Sequence, residues 1–461
     1  MKKIYFSVFI LILIISFASF SWREGPGDGS ELEFPYVLYD YKLENRFSDR
    51  ANVNDNLANL GRVLFYDTAL SIDESTSCGS CHKQEKSFAD DLAFSEGLDN
   101  RLTTRNSLHL NDLGWQPSQG LFWDLRSSKP EDAVLEPIIH PDELGLDFLT
   151  LTSKLKEIDY YPPLFEYAFD DDEITKEKIG LALSEFIQSM VTTNSKFDKD
   201  LLSPTEREGQ WIFASNCGNC HHSPHFSIPK NQDPLLTYTG VNSTNFFIVN
   251  NGLDSIYADE GMGGWVTDVP ANDPDKYQSI FKSPTLRNIE LTAPYMHNGR
   301  FETLEEVVDF YSDGIQPHVN AFSQYYGNPS LGISFKGFEF DEVEKSKLIA
   351  FLKTLTDWSF TLDPKWSDPF LEEPIEIKDE VIFYDFYASP NPVIERTMIH
   401  ISNSVEETYN LTLVNMEGVV VREMLADCGQ YELFRGGLPS GMYYLNIQNE
   451  KLSNSIKLIF K

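Results

Sequence analysis

Two five-residue stretches constrain this chain more than anything else in it: Cys78-Gly-Ser-Cys81-His82 and Cys217-Gly-Asn-Cys220-His221. Both read C-x-x-C-H, the spacing that attaches a c-type haem. Two thiols bond the vinyl groups and the adjacent histidine binds the iron. At ordinary Cys and His frequencies, one match arises by chance on the order of once per thousand such chains, and two on the order of once per million. Redox C-x-x-C pairs and zinc ligands are the alternatives. Neither accounts for a histidine after each pair, and no second pair stands at zinc-knuckle spacing. The fifth cysteine, Cys428, stands alone and reads as an inert thiol.

The rest of the composition narrows the class. A length of 461 residues suggests about three domains at roughly 150 residues each. Apolar content of 41% with 13% aromatics is enough for real cores. The 37 basic against 71 acidic residues give 37 − 71 = −34, which argues against a nucleic-acid partner because phosphates would be repelled. Five cysteines are too few for a disulfide scaffold. Lys2 and Lys3 precede an apolar run from Ile4 to about Phe17, then Ala18, Ser19 and Ser21. That pattern reads as a signal peptide over 1–21, since the run is short for a span of ~20 residues. No cysteine marks a lipoprotein boundary, so a soluble, exported mature protein is expected.

Behind the leader, residues 22–50 are rich in Gly, Pro and acids. From Asp55, Leu57, Leu60, Val63 and Leu64 recur at helical spacing. Ile174 to about Val191 reads as a second helix, with Ile179, Leu183, Phe186, Ile187 and Met190 on one face. A third opens at Thr303, where Thr303 and Glu306 make a capping box and Gly314 a stop. A fourth runs from Asp341 to about Leu355. Residues 226–280 are loop-rich. The Asp-Pro and Glu-Glu-Pro signals of 361–381 read as a linker. Residues 382–461 alternate as strands, with turns at Gly436-Gly437 and Pro439-Ser-Gly441. The expected architecture is mainly α: cytochrome c-type haem domains with long loops at 40–195 and 196–360, the linker, and a small β-sandwich at 382–461.

Two haems allow an electron wire, oxygen or peroxide chemistry, or sensing. The sixth position on each iron discriminates: a carrier fills both with His or Met, whereas a peroxidase leaves one open beside an acid/base.

Longer motifs add to this. Gly61-Arg-Val-Leu64-Phe65-Tyr-Asp67, Leu70-Ser71, Ser77-Cys-Gly-Ser-Cys-His82 and Phe88-Ala-Asp90 come first. Arg105-Asn106-Ser107, Phe122-Trp123-Asp124-Leu125-Arg126, and Pro137 with Glu143 follow. Phe281-Lys-Ser-Pro284-Thr-Leu-Arg287-Asn288 and Leu291-Thr-Ala-Pro294-Tyr-Met-His297-Asn-Gly299 complete the set. In these motifs, over about residues 40–358, the chain resembles bacterial di-haem cytochrome c peroxidases and their MauG-type relatives.

The resemblance implies roles. His82 would be the proximal ligand of a first, peroxidatic haem, and His221 that of a second, electron-entry haem. Glu143, twenty residues after Trp123, would be the distal acid/base; without that match it would read as a solvated loop acid. Trp123 would lie between the haems and lower the barrier for electron hopping, although a core tryptophan is the plainer reading. Tyr311, fourteen residues after His297, stands where conventional peroxidases have Met and the MauG type has Tyr. It is a candidate axial ligand of the second iron, with Met296 the rival; periodicity alone would make it core. Asn106, Thr292 and Pro294 match a calcium site. The reaction implied is reduction of hydrogen peroxide to water, fed by a donor such as a small cytochrome or cupredoxin, in a possible homodimer.

The chain departs from that pattern in places. Conventional members carry a distal histidine before the Arg-Asn motif, but no histidine occurs between Lys83 and Leu108. The first haem is therefore expected to be open without reductive activation. Ala133 replaces the usual Gln; His140 could supply the lost donor or could simply be a loop residue. Leu125 replaces a Gly. His109 reads as structural, and His222 and His225 as exposed or propionate neighbours.

The tail, with Ser389-Pro-Asn-Pro392, the Gly418 hairpin, Gly437-Leu-Pro-Ser-Gly441-Met-Tyr443 and Lys457-Leu-Ile-Phe-Lys461, resembles the sorting domain of the type IX secretion pathway. An adhesive or carbohydrate-binding module is the alternative. The resemblance implies passage through the periplasm, then release or surface attachment. Two further functions stay open: a MauG-like enzyme that uses peroxide for long-range oxidation of a protein or organic substrate, and a non-catalytic surface electron-transfer cytochrome.

Overall fold

The computed structural model describes residues 36–41, 53–115, 120–227, 248–267, 269, 277–317, 337–371, 385–389, 393, 395–402, 408–415, 419–427, 429–448 and 453–461. The leader at 1–21, residues 390–392, the Gly418 turn and Cys428 lie outside them. Among the described residues no helix is long and apolar enough to cross a membrane.

The body is built twice on one plan. The Asp55–Tyr66 helix packs across Lys176–Ser189, and Pro204–Asn216 packs across Glu342–Lys353. Each crossing falls on a glycine. A Cβ on Gly61 would stand 2.0 Å from the Ala182 carbonyl oxygen, and one on Gly209 would stand 2.0 Å from that of Lys347. Only the missing side chain lets the backbones approach so closely. In each half a haem motif follows the first helix. Cys78–Cys81 forms a single turn of its own, and Cys217 is the C-cap of Pro204–Asn216.

The helix starts follow local chemistry. Asn54 and Thr175 cap with their side chains. Ser203 with Glu206, Thr303 with Glu306, and Asp341 with Glu344 form capping boxes. The helix that opens at Thr303 departs from expectation. It is α only over Leu304–Asp309, then widens to a π turn over Phe310–Gly314. The cause is a neighbouring segment: Phe338 and Glu339 donate their N–H groups to the Tyr311 and Ser312 carbonyls at 3.0 and 2.8 Å. Those carbonyls are thereby drawn out of the helical ladder.

Aromatic residues fill both halves. Phe65 meets Phe186 and Phe88 edge-on at 5.3 and 5.8 Å. In the second half Phe213, Phe226 and Phe351 cluster with Leu304, Val308 and Leu352. Arg287, 1% exposed, reaches Asp198 with Nη1 at 2.9 Å and Nη2 at 2.8 Å.

The linker reading of 361–381 fails over 361–371. Asp363 caps a 3-10 turn at Pro364–Trp366, and Trp366 is buried. Arg62 Nε donates to the Ser367 carbonyl at 2.7 Å, Tyr66 Oη to that of Trp366 at 2.7 Å, and Gln84 Nε2 to that of Asp363 at 2.9 Å. This stretch is part of the first half's packing; residues 372–381 lie outside the described set.

Strands β1 (Ile248–Val249) and β2 (Phe281–Lys282) form a short antiparallel pair. The C-terminal region contains β3 (Asp385–Ser389), β4 (Arg396–Ser402), β5 (Thr408–Asn415), β6 (Val420–Asp427), β7 (Gly429–Phe434), β8 (Gly441–Gln448) and β9 (Ser453–Phe460). They make two antiparallel sheets, ordered β3-β4-β7 and β6-β5-β8-β9. Alternate residues point inward: Leu411 and Leu413 of β5, Leu445 and Ile447 of β8, and Leu458 of β9 join Ile399 and Leu433 of the other sheet in one buried cluster.

Candidate haem cavities and active site

Two cavities open around the two motifs. The first, about 580 Å³, is lined by Cys78, Cys81 and His82 together with Ala133, His140 and Glu143. The second, about 200 Å³, is lined by Cys217, Cys220 and His221 together with Met296 and Tyr311. Trp123, Asn106, His109 and Lys282 belong to both walls.

The donor chemistry fits a covalently held haem in each. All four thiols are free. Burial pushes Cys78, Cys217 and Cys220 up to about 12. His82 Nδ1 stands 2.7 Å from the Phe88 carbonyl oxygen. His221 Nδ1 stands 3.0 Å from that of Pro284 and 3.2 Å from that of Phe226. A carbonyl can only accept, so each Nδ1 carries the proton and each Nε2 keeps its lone pair for a metal. Burial lowers His82 and pushes His221 down to about 4, holding both neutral. The supporting loops match: Phe88 and Phe226 are buried in left-handed conformation, at φ 61° and 51°. Lys83 pairs with Ala89, and His222 with Ser227, across the same small loop. Neither His222 nor His225 is in a cavity wall.

Glu143 follows the Glu136–Ile139 turn, its N–H donating to the His140 carbonyl at 3.1 Å. The loop is pinned by Gly97, where a Cβ would stand 1.9 Å from the Asp142 carbonyl oxygen. It is also held by the Ile72 N–H, which donates to the Leu144 carbonyl at 2.9 Å. The Glu143 carboxylate is half-buried, and His140 Nδ1 is 3.5 Å from its Oε1. Burial raises Glu143 above the usual carboxylate range, with His140 and then Arg126 pulling it back. Ala133 contributes no polar atom to this wall, and His140 Nδ1 accepts from the Asp142 N–H at 3.3 Å. His82, His109 and His140 are the histidines of this wall, and none comes from the segment between Lys83 and Leu108.

Trp123 is held at both ends. Its indole N–H donates to the Asn106 carbonyl at 2.8 Å, and its own carbonyl accepts from the Lys282 N–H at 2.8 Å. Its ring meets His297 edge-on at 6.4 Å, and His297 stacks on Phe281 at 4.0 Å. The next residue, Asp124, is fixed by Arg105 at 2.6 Å. Leu125 sits at φ 58°, a glycine-like conformation, yet its side chain is buried with Met262, Tyr277 and Ile280. That burial offsets a backbone cost of roughly 1–2 kcal/mol.

In the second cavity Tyr311 lies in the π turn and shares the wall with Leu304, Val307 and Val308. The face that periodicity marks as core is thus a cavity wall. Burial raises the Tyr311 phenol well above its usual range. Asn106, Thr292 and Pro294 lie in the same wall. Asn106 Nδ2 donates to the Leu92 carbonyl at 3.1 Å, which leaves Oδ1 as the acceptor end of that amide. Sequence reasoning did not find Asn251, an Asn in a loop-rich stretch, nor the ion pairs of Arg105 with Asp124 and Asp259.

Residues 55–205 match the family profile of di-haem cytochrome c peroxidase, and residues 387–461 match a secretion system C-terminal sorting domain. Cytochrome c551 peroxidase of Nitrosomonas europaea is 30% identical over 66% of this chain and 80% of its own. Methylamine utilization protein MauG of Methylophilus methylotrophus is 28% identical over 65% of this chain and 82% of its own. A solved MauG-like protein associated with microbial copper homeostasis superposes with a TM-score of 0.59 at 29% identity, covering 72% of this chain and 99% of that one. The chain belongs to the di-haem cytochrome c peroxidase and MauG family. It is a peroxidase-type oxidoreductase that carries a C-terminal secretion sorting domain.

Proposed function

We propose that this protein reduces hydrogen peroxide in the first cavity with electrons delivered from the second. Peroxide, two electrons and two protons give two waters. Haem held at each motif would supply a one-electron redox centre, the first cavity's being the one that meets peroxide. The chain's own residues do the rest. Phe88 and Pro284 hold the two proximal imidazoles in the tautomer that can bind iron. Glu143 takes a proton from one peroxide oxygen and delivers it to the leaving oxygen. His140 keeps the carboxylate near the ionised form this requires. Trp123, in both walls, carries electrons between the cavities.

The observation that carries the reading is the placement of Glu143 and His82 in one cavity whose wall Trp123 shares with the other. Glu143→Gln tests it. The variant is expected to keep two haems and lose peroxide turnover; unchanged turnover would remove Glu143 from the chemistry.

A second reading keeps the fold and changes the electron source. Peroxide would withdraw electrons from a protein or organic partner by long-range transfer, as Tyr311 in the second wall favours. Calcium at Asn106, Thr292 and Pro294, a cytochrome or cupredoxin donor, a homodimer, and type IX export to the cell surface or medium complete the proposal.

A further inference from the structure

The wall between the two cavities holds a buried cation that no described residue neutralises. Lys282 is 6% exposed and lines both cavities. Its ammonium has three protons but donates one long hydrogen bond, to the Gly120 carbonyl at 3.3 Å. Among the described residues no carboxylate lies within ion-pair distance, and burial alone pushes its ammonium down to about 8. The nearby cations are treated differently: Arg105 has Asp124 and Asp259, and Arg287 has Asp198. A buried charge without a partner is strongly disfavoured, so a counter-charge from outside the chain is expected here.

A second unsatisfied group lies in the same wall. His109 Nε2 stands 3.0 Å from the Thr285 carbonyl oxygen, which places the proton on Nε2, and the buried Nδ1 has no partner. The position is informative because the two halves repeat there. Ser107-Leu108-His109-Leu110 matches Ser283-Pro284-Thr285-Leu286, and each run supports a proximal histidine. In the second copy the equivalent Thr285 hydroxyl is satisfied by the His225 carbonyl at 2.6 Å. In the first copy it is a histidine with one nitrogen unused.

The ammonium calls for an anionic oxygen, whereas the unprotonated Nδ1 of His109 is itself an acceptor and calls for an O–H donor. We propose that Lys282 forms a seat for a haem propionate carboxylate in the wall that the two cavities share, with His109 beside it. Lys282 supplies the counter-cation, and His109 Nδ1 accepts a hydrogen bond from water or from the O–H of a protonated propionic acid. This rests on haems occupying these cavities, not on which reaction they perform. A fixed positive charge in a dry site favours the more negative, reduced state of an adjacent haem. Lys282 therefore raises the reduction potentials of the haems it serves.

The test uses the full-length holoprotein and the variants Lys282→Met, Lys282→Arg and His109→Thr. Haem content is read by pyridine haemochrome absorbance, which checks occupancy independently of the seat. Potentials are read by spectroelectrochemistry without peroxide. Lys282→Met with two haems is expected to have lowered potentials, and Lys282→Arg to restore them. Unchanged potentials in a fully loaded Lys282→Met overturn the proposal. Should Lys282→Met not load, resonance Raman of Lys282→Arg and His109→Thr decides, since propionate bending bands are expected to shift in both. Bands unchanged in both also overturn it. Wild-type potentials that move with added acetate or chloride at constant ionic strength would mean a free anion fills the seat, and the proposal falls.

Discussion

Tyr311 and Met296 share one hydrogen-bond donor. Asn251 Nδ2 stands 3.3 Å from the Tyr311 hydroxyl oxygen and 3.5 Å from the Met296 sulfur. Both candidate ligands are thus present at the same point of the second cavity wall, and one amide can serve either. A phenolate favours ferric iron and a thioether ferrous iron. The choice between them sets the second haem's potential, and with it the balance between peroxide reduction and long-range oxidation.

Tyr311→Met is expected to raise the potential of one haem and leave the other unchanged, read by spectroelectrochemistry. Met296→Leu is expected to leave both potentials in place. The reverse pattern would assign Met296 as the ligand.

Glu143→Gln is expected to lower peroxide turnover by about 10²–10⁴-fold with haem content unchanged. The carboxylate works as a base, so activity requires its ionised form. Because burial raises its pKa, the rate should fall with acid at a pH above that of an ordinary carboxylate.

His140 is the leading influence that opposes this rise. His140→Ala should move the acid limb of the pH–rate profile further toward neutral. An unmoved limb would show that His140 does not act on Glu143.

Gly61→Ala and Gly209→Ala each place a methyl against a carbonyl oxygen at a helix crossing. Each is expected to cost about 1–3 kcal/mol of stability, seen as a lowered Tm, because the backbones must part. The two losses should be of similar size, since the crossings are alike.

The haem motifs, caps and strand alternation were legible because each is local. Thr303 with Glu306 marks a helix start within four residues, and that box forms. The features that were not legible depend on distant partners. The π turn at Tyr311 arises because Phe338 and Glu339 take its carbonyls. The Asp-Pro signals after residue 360 suggested a linker because only the fold reveals Arg62 and Tyr66 waiting for that backbone. Lys282 was visible as part of a family motif, but its burial between two cavities was not.

An open first haem is expected to bind and cleave peroxide without prior reduction. Stopped-flow absorption of the diferric protein mixed with stoichiometric peroxide, without reductant, tests it most directly. A rapid Soret change is the result expected from an open first haem, with no capping histidine from the segment between Lys83 and Leu108. A spectrum that stays unchanged until one electron is added would contradict the account and point to a side chain that caps the first iron.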